Sequence, residues 1–204
     1  MRKPEQELAE IKSMMERSTR FLTLSGISGI LAGTYALIAA GIAYTWIYYP
    51  EVPYGSNIDK ISEDGIVGKL LITSLIVLLL SIGTAWVMSQ NNSKKKATKF
   101  WTPASKRFIL ALFIPVAIGG IFCLALVSKG HLAVVAPATL IFYGLGLLNA
   151  SHFTHNDIKY LGYCQLVLGV ISAFLPGFGL LLWSLGFGVL HVIYGAMMYY
   201  KYDR

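Results

Sequence analysis

The chain has 204 residues, of which 55% are hydrophobic and 13% charged, with a mean hydropathy of +0.61. Soluble domains carry about 25% charged residues, so this composition excludes a disordered chain, a nucleic-acid-binding domain and an ordinary cytosolic enzyme and points to a polytopic membrane protein. The net charge of +7, from 17 Lys and Arg against 10 Asp and Glu, is read loop by loop, because Lys and Arg placement sets orientation in a membrane.

Residues 1–20 are the patterned segment outside the apolar runs. Pro4 suits a first helical turn. Leu8, Ile11, Met15 and Leu22 recur at helical spacing, and Glu16 and Arg20 form a favourable i,i+4 pair. The expectation is a cytoplasmic amphipathic helix, lying at the membrane interface or docking a protein partner or a second copy of the chain. Glu5, Glu7, Glu10 and Glu16 precede the first apolar run, so no cleavable leader is expected.

A bilayer core of about 30 Å needs about 20 apolar residues in a helix. Spans are expected at about 21–49, 70–88, 109–127, 132–150, 160–176 and 180–200, followed by a tail at 201–204. Residues 160–200 hold no charge and are too many for one helix; Pro176-Gly177-Phe178-Gly179 divides them. The outer loop 50–65 reads as a solvated cap, and Lys69 as a snorkelling residue. Thr102-Pro103 is a cap and first-turn proline opening the third span. Cys123 and Cys164 lie in apolar runs and read as small buried hydrophobes.

Basic residues divide unevenly. Arg2, Lys3, Lys12, Arg17, Arg20, Lys94, Lys95, Lys96, Lys99, Lys106, Arg107, Lys159, Lys201 and Arg204 fall on one side; Lys60, Lys69 and Lys129 fall on the other. The positive-inside rule then selects six spans with both termini cytoplasmic in a bacterial inner membrane. Trp46, Tyr48 and Tyr49 outside, with Trp101, Tyr160, Tyr199 and Tyr200 inside, suit the two interfaces.

Polar groups inside the spans are Ser25, Ser28, Thr34, Asn149, Gln165 and His191. No Asp, Glu, Lys or Arg is expected at mid-membrane, which argues against a common proton-coupled transporter. His191 reads as a proton acceptor, a metal, haem or ligand contact, or a neutral histidine bonded across a helix interface. Together Asn149, Gln165 and His191 offer a lining for a channel or transporter of a small neutral or apolar solute. Gly26-Ile27-Ser28-Gly29 resembles the GxSG around the rhomboid-protease nucleophile, which would make Ser28 and His191 an intramembrane serine hydrolase pair; the order of spans departs from that family. Gly26, Gly29, Gly33, Gly186, Gly188 and Gly195 read as close helix-packing positions. His152 and His155 with Asp157 form a weak zinc candidate, while Thr154-x-x-Asp157 is also a helix-capping pattern. Residues 93–99, followed by Phe100 and Trp101, read as a topology signal or as an attraction for anionic lipid.

The last hairpin carries Gly162, Gly169, Pro176, Gly186 and Gly195, and a looser version holds Gly119, Gly120, Gly144 and Gly146. This pattern resembles the helical-hairpin repeat of HdeD-like acid-resistance membrane proteins, which implies three pseudo-repeated hairpins. The stretch MERSTRFLTLSGISGILAGTYALI with the end hairpin is similar to an uncharacterised six-span family of integral membrane proteins from Bacteroidota-type bacteria; that resemblance implies no catalytic residues. The expected molecule is an all-α six-helix membrane bundle without enzymatic activity or cofactor. Its expected role is a sensor, stress-response or accessory protein with a bound lipid or a partner held by residues 1–20.

Overall fold

A computed structural model describes residues 20–48 and 65–203. The amphipathic helix expected over 1–20 and the outer loop 50–65 lie, apart from Arg20 and Gly65, outside the described residues. Among the described residues there is no strand, and the elements are α1 Gly26–Ile47, α2 Ile66–Lys95, α3 Pro103–Ser128, α4 Val135–Ser151, α5 Ile158–Phe174 and α6 Pro176–Asp203. A single 3₁₀ turn, Leu132–Val134, leads into α4. Helix α6 is continuous but irregular, with a 3₁₀ start and π-helical stretches at Ser184–Leu190 and Tyr199–Asp203. Five helices, all but α5, are long and apolar enough to cross a membrane, α4 when counted with its leading turn as Leu132–Ser151; α5 has 17 residues.

Local chemistry explains the boundaries. At the start of α3 Thr102 caps the helix with Pro103 just inside, as the sequence predicts, and Ser105 completes a reciprocal capping box with Thr102. The same helix ends where Gly130 takes φ +77°, His131 N–H donates to Leu126 O and Gly130 N–H to Val127 O. Helix α2 ends in the same double bond pattern, Thr98 to Ser93 and Ala97 to Lys94, but with Ala97 at φ 51° where glycine is usual. It runs beyond the expected 70–88 because Gln90, Asn91 and Asn92 continue the turn and Lys94 and Lys95 complement the helix dipole. The first helix starts at Gly26 rather than at Phe21. Residues 21–25 are instead held outside helical geometry, with Phe21 N–H donating to Phe153 O and Thr154 Oγ1 to Phe21 O.

Glycine contacts fix the topology. On α1, Gly26, Gly29 and Gly33 face Tyr199, Gly195 and Gly188 of α6, and Tyr48 Oη donates to Gly177 O, so the two run antiparallel. Gly144 meets Gly162, and Ile141 meets Gly169, so α4 and α5 are antiparallel. Gly119 against Phe142 and Gly146 against Leu112 make α3 and α4 antiparallel. Lys69 over the Trp46 ring, with Lys96 on Leu22 O at the other end, makes α1 and α2 antiparallel. The helices therefore alternate in direction, and Gly26 and Asp203 meet at one end.

Packing is uneven. The most apolar windows of α1 and α4 are 39% buried; those of α2 and α3 are only 6% and 11% buried. Ile72, Leu79, Ile118 and Ile121 are exposed. So much contiguous apolar surface marks a membrane-facing exterior. Cys164, expected to be buried, is exposed on this surface, whereas Cys123 is buried; helical rotation places Cys164 beside exposed Tyr163, one position before fully buried Gln165. A tight hydrophobic cluster of Phe21, Phe108, Ala111, Leu147, Ala150, Ile158 and Leu161 closes the end where the chain begins.

Candidate functional site

Two polar assemblies lie inside this scaffold. The first is at mid-helix on α4, α5 and α6. His191 Nδ1 and Gln165 Nε2 both reach the Gly186 carbonyl, each at 2.9 Å. A carbonyl only accepts, so Nδ1 carries a hydrogen, and Nε2 pairs with Tyr143 Oη at 2.9 Å. Both ring nitrogens of His191 are thus engaged. Phe187 stacks on it at 12° and 5.9 Å, and Tyr143 lies 5.0 Å from Phe187. Glycine at 186 leaves room for these side chains: a Cβ there would stand 2.5 Å from Leu140 Cδ2 and 2.6 Å from Gln165 Oε1 and would displace both. The site needs the π-helical Ser184–Leu190 segment, a wider turn of a kind that recurs at functional sites. Gln165 and Ser172 are fully buried, and Gln165 Oε1, Ser172 Oγ and Tyr194 Oη have no hydrogen-bond partner among the described residues.

Of the polar residues expected to line one path, the fold brings Gln165 and His191 together through Gly186 O. Asn149 is elsewhere: its Nδ2 donates to Ala111 O at 3.0 Å and ties α4 to α3. The reason is helical phase, since Asn149 lies six residues from Tyr143 and so on a different face of α4. Ser28 Oγ donates to Ser25 O at 2.7 Å, while both nitrogens of His191 bond to Tyr143 and Gly186, so Ser28 and His191 do not form a dyad. Gly26, Gly29, Gly33, Gly188 and Gly195 all sit in the α1–α6 seam. Thr34 Oγ1 bonds back to Ile30 O.

The second assembly closes the end that carries most of the cations. Asp203, placed by sequence in a tail, caps α1: Oδ2 accepts from Gly26 N–H at 2.7 Å and Ser25 Oγ at 3.2 Å, and Oδ1 accepts from Asn92 Nδ2 at 2.9 Å. Asp157 accepts from Lys201 Nζ at 2.7 Å and Tyr202 Oη at 2.8 Å. His155 is buried with its ring 3.9 Å from that of Tyr202, and its Nε2 has no partner among the described residues. Burial, and then the neighbouring Lys96, lower the His155 pKa below the ordinary 6.5. The Lys201 hydrogen bond is the chief reason that Asp157 is held below the usual carboxylate value.

The zinc candidate therefore disperses. His152 is exposed, His155 faces Tyr202, and Asp157 is occupied by Lys201 and Tyr202; no group of three or more His, Cys, Asp or Glu among the described residues is placed to hold a metal. The capping expectation for Thr154 also gives way, because its hydroxyl serves Phe21 O and Asp157 caps α5 with no side-chain bond. No sequence signal pointed to Asp203, since an aspartate three residues from a folded partner and one 177 residues away look alike in one dimension.

A third feature is a groove of about 430 Å³ between α1 and α6, toward the end opposite Asp203. Leu37, Ala40, Gly41 and Tyr44 form one wall and Leu180, Leu181 and Ser184 the other. The Ser184 hydroxyl is already bonded to Leu181 O, so that the groove presents a mainly hydrocarbon lining.

Comparison with family models, with curated proteins and with solved structures found no match.

Proposed function

We propose that the chain is an integral protein of a bacterial inner membrane that crosses it six times as three hairpins, both ends cytoplasmic. Supporting the sixth crossing, α5 is antiparallel to α4 along Gly144–Gly162 and Gly169–Ile141, so it shares the slab that α4 occupies. Supporting the orientation, Arg20, Lys94, Lys95, Lys96, Lys99, Lys106, Arg107, Lys159 and Lys201 lie at one end, with Lys69 and Lys129 at the other.

Within that frame the protein is a non-enzymatic sensor or accessory protein, and its signal is a lipophilic molecule. The observation that carries this reading is the α1–α6 groove: its size falls in the range of about 300–1,000 Å³ usual for ligand sites, and its walls are apolar. The groove lies on the same two helices whose far ends meet at Asp203, so a chain seated there bears on the α1–α6 seam that the cytoplasmic cap also holds.

A palmitate analogue carrying a diazirine tests it. Irradiation of the full-length protein in liposomes should label peptides containing Leu37, Tyr44 and Leu181 well above those of α2. Gly41→Trp should remove that labelling without loss of folding, because a side chain at Gly41 begins in open space. Label spread evenly over the exposed helices would end the lipophilic-ligand reading.

A further inference from the structure

We propose that the cytoplasmic ends of α2 and α3 form a binding site for the headgroup of an anionic glycerophospholipid, whose acyl chains lie along the two helices. This rests on the membrane orientation proposed above, but not on the α1–α6 groove.

Lys94, Lys95, Lys99, Lys106 and Arg107 are all exposed. No carboxylate among the described residues pairs with any of them; the ion pair at this end joins Lys201 to Asp157. Lys96 differs, because its Nζ donates to Leu22 O. Five cations thus stand within two helix ends and the turn between them, without a carboxylate partner among the described residues.

Aromatic rings sit beside them. Trp86 of α2 lies edge-on to Phe100 at 5.1 Å and to Trp101 at 5.3 Å, and the two tryptophans are 40% and 52% exposed. This cluster holds the connection that precedes α3 against α2; the two helices themselves scarcely touch and their faces are largely exposed. Tryptophan belongs at the headgroup level of a bilayer. Beyond it, toward mid-membrane, α2 exposes Leu79 and Leu80 and α3 exposes Leu110 and Ile114.

Along α2 the site therefore presents positive charge at Lys94 and Lys95, then the Trp86 ring, then hydrocarbon, in the order in which a phospholipid presents phosphate, glycerol and acyl chain. On α3, Lys106 and Arg107 stand in the first turn just past Trp101, with Leu110 and Ile114 beyond them. Charge complementarity selects an anionic headgroup over a zwitterionic one. A soluble polyanion matches only the first layer. Among the described residues the opposite end offers two cations, Lys69 over the Trp46 ring and Lys129 at the C-terminus of α3.

Native mass spectrometry of the full-length protein in micelles, titrated with phosphatidylglycerol and with phosphatidylcholine, tests the proposal. Phosphatidylglycerol should bind at least tenfold more tightly. A variant combining K94Q, K95Q, K99Q and K106Q should lose that preference, and K69Q with K129Q should keep it. Equal binding of the two lipids, an unaltered preference in the quadruple variant, or displacement by millimolar glycerol phosphate would each overturn it. These positions are solvent-exposed, so folding should persist, checked by helical circular dichroism. Retention in carbonate-washed membranes reports the membrane reading separately: a protein that stays in the membrane but shows no lipid preference disproves only this site.

Discussion

Helices α1 and α6 and helices α2 and α3 are all long and apolar enough to cross a membrane, yet they play opposite parts. The α1–α6 seam brings backbones together: a Cβ at Gly195 would lie 2.5 Å from Ile30 N, and one at Gly26 2.3 Å from Tyr199 N. Along α2 the glycines have no such role, and Gly68 and Gly83 face open space. Apolar character places a helix in the membrane; small residues at matched heights decide which helices touch, because lipid is as apolar as leucine and gives no hydrophobic drive between them.

The largest effect expected from breaking this contrast is at Gly195. Gly195→Leu must push two backbones apart, which puts its cost at or above about 3 kcal/mol, the upper end of what overpacking usually costs. The variant should fail to give a monodisperse peak in size-exclusion chromatography, whereas Gly83→Leu should behave as the parent. Equal behaviour of the two would refute the seam.

Next comes the buried polar cluster. His191→Phe keeps the ring but strands the Tyr143 hydroxyl and removes one bond to Gly186 O. An orphaned buried group costs about 1–3 kcal/mol, so thermal unfolding should occur several degrees earlier. Adding Tyr143→Phe should recover part of the loss, because the orphan is then gone; no recovery would mean that the hydrogen bond is not the cause.

The cap at the shared end should matter slightly less. Asp203→Ala removes the acceptor for Gly26 N–H and Asn92 Nδ2, and loss of a helix cap costs about 1 kcal/mol. Amide exchange at the first turn of α1 should accelerate about fivefold, while α3 stays unchanged. Exchange rising equally in both would show a general loosening instead.

Acidification probes the same end. His155 is neutral and buried in the folded end, with a pKa below its ordinary 6.5. An unfolded or open end therefore binds the proton more readily, so the contribution to stability is complete above about pH 6.5 and declines as pH falls from there toward the lowered value. The protection factor of the Phe21 amide, bonded to Phe153 O, taken against the intrinsic exchange rate at each pH, should fall below about pH 6.5 and lose that dependence in His155→Gln. Asp157 acts in the same direction only lower, below the ordinary 3.8, where its bond to Lys201 fails. A flat profile from pH 7 to 5 would remove His155 from this role.

The smallest effect is a gain. Ala97 adopts φ 51° at the end of α2, where a side chain costs about 1 kcal/mol. Ala97→Gly should raise thermal stability by a degree or two, offset in part by added freedom in the unfolded chain. A loss of stability would show that the Ala97 methyl group contributes packing.

Much of this architecture was legible beforehand. The cap at Thr102 with Pro103 behind it, the break at Pro176 and the packing glycines were readable because each depends on neighbours within a turn or on one small residue. The mid-membrane site was half legible: His191 and Gln165 stood out as polar residues in apolar runs, but nothing marked Tyr143 or the Gly186 carbonyl as their partners. Asn149 looked equivalent to both and is not, since helix phase and neighbour choice sit outside a one-dimensional pattern. Phe21 belongs to an apolar run yet is not helical, because Phe153 and Thr154, more than 130 residues away, take its backbone groups.

By itself, the order of residues determined that the chain makes long apolar helices, where several of them begin and end, and that positive charge gathers in particular connections. These are local quantities, set by hydropathy over a turn or two and by capping within four residues. Tertiary structure alone decided that α6 lies against α1, that Gly186 serves two side chains at once, and that Asp203 closes the bundle by capping its first helix. Those outcomes depend on where surfaces fit closely enough for backbone groups to be shared, and close fit belongs to the assembled helices rather than to any one of them.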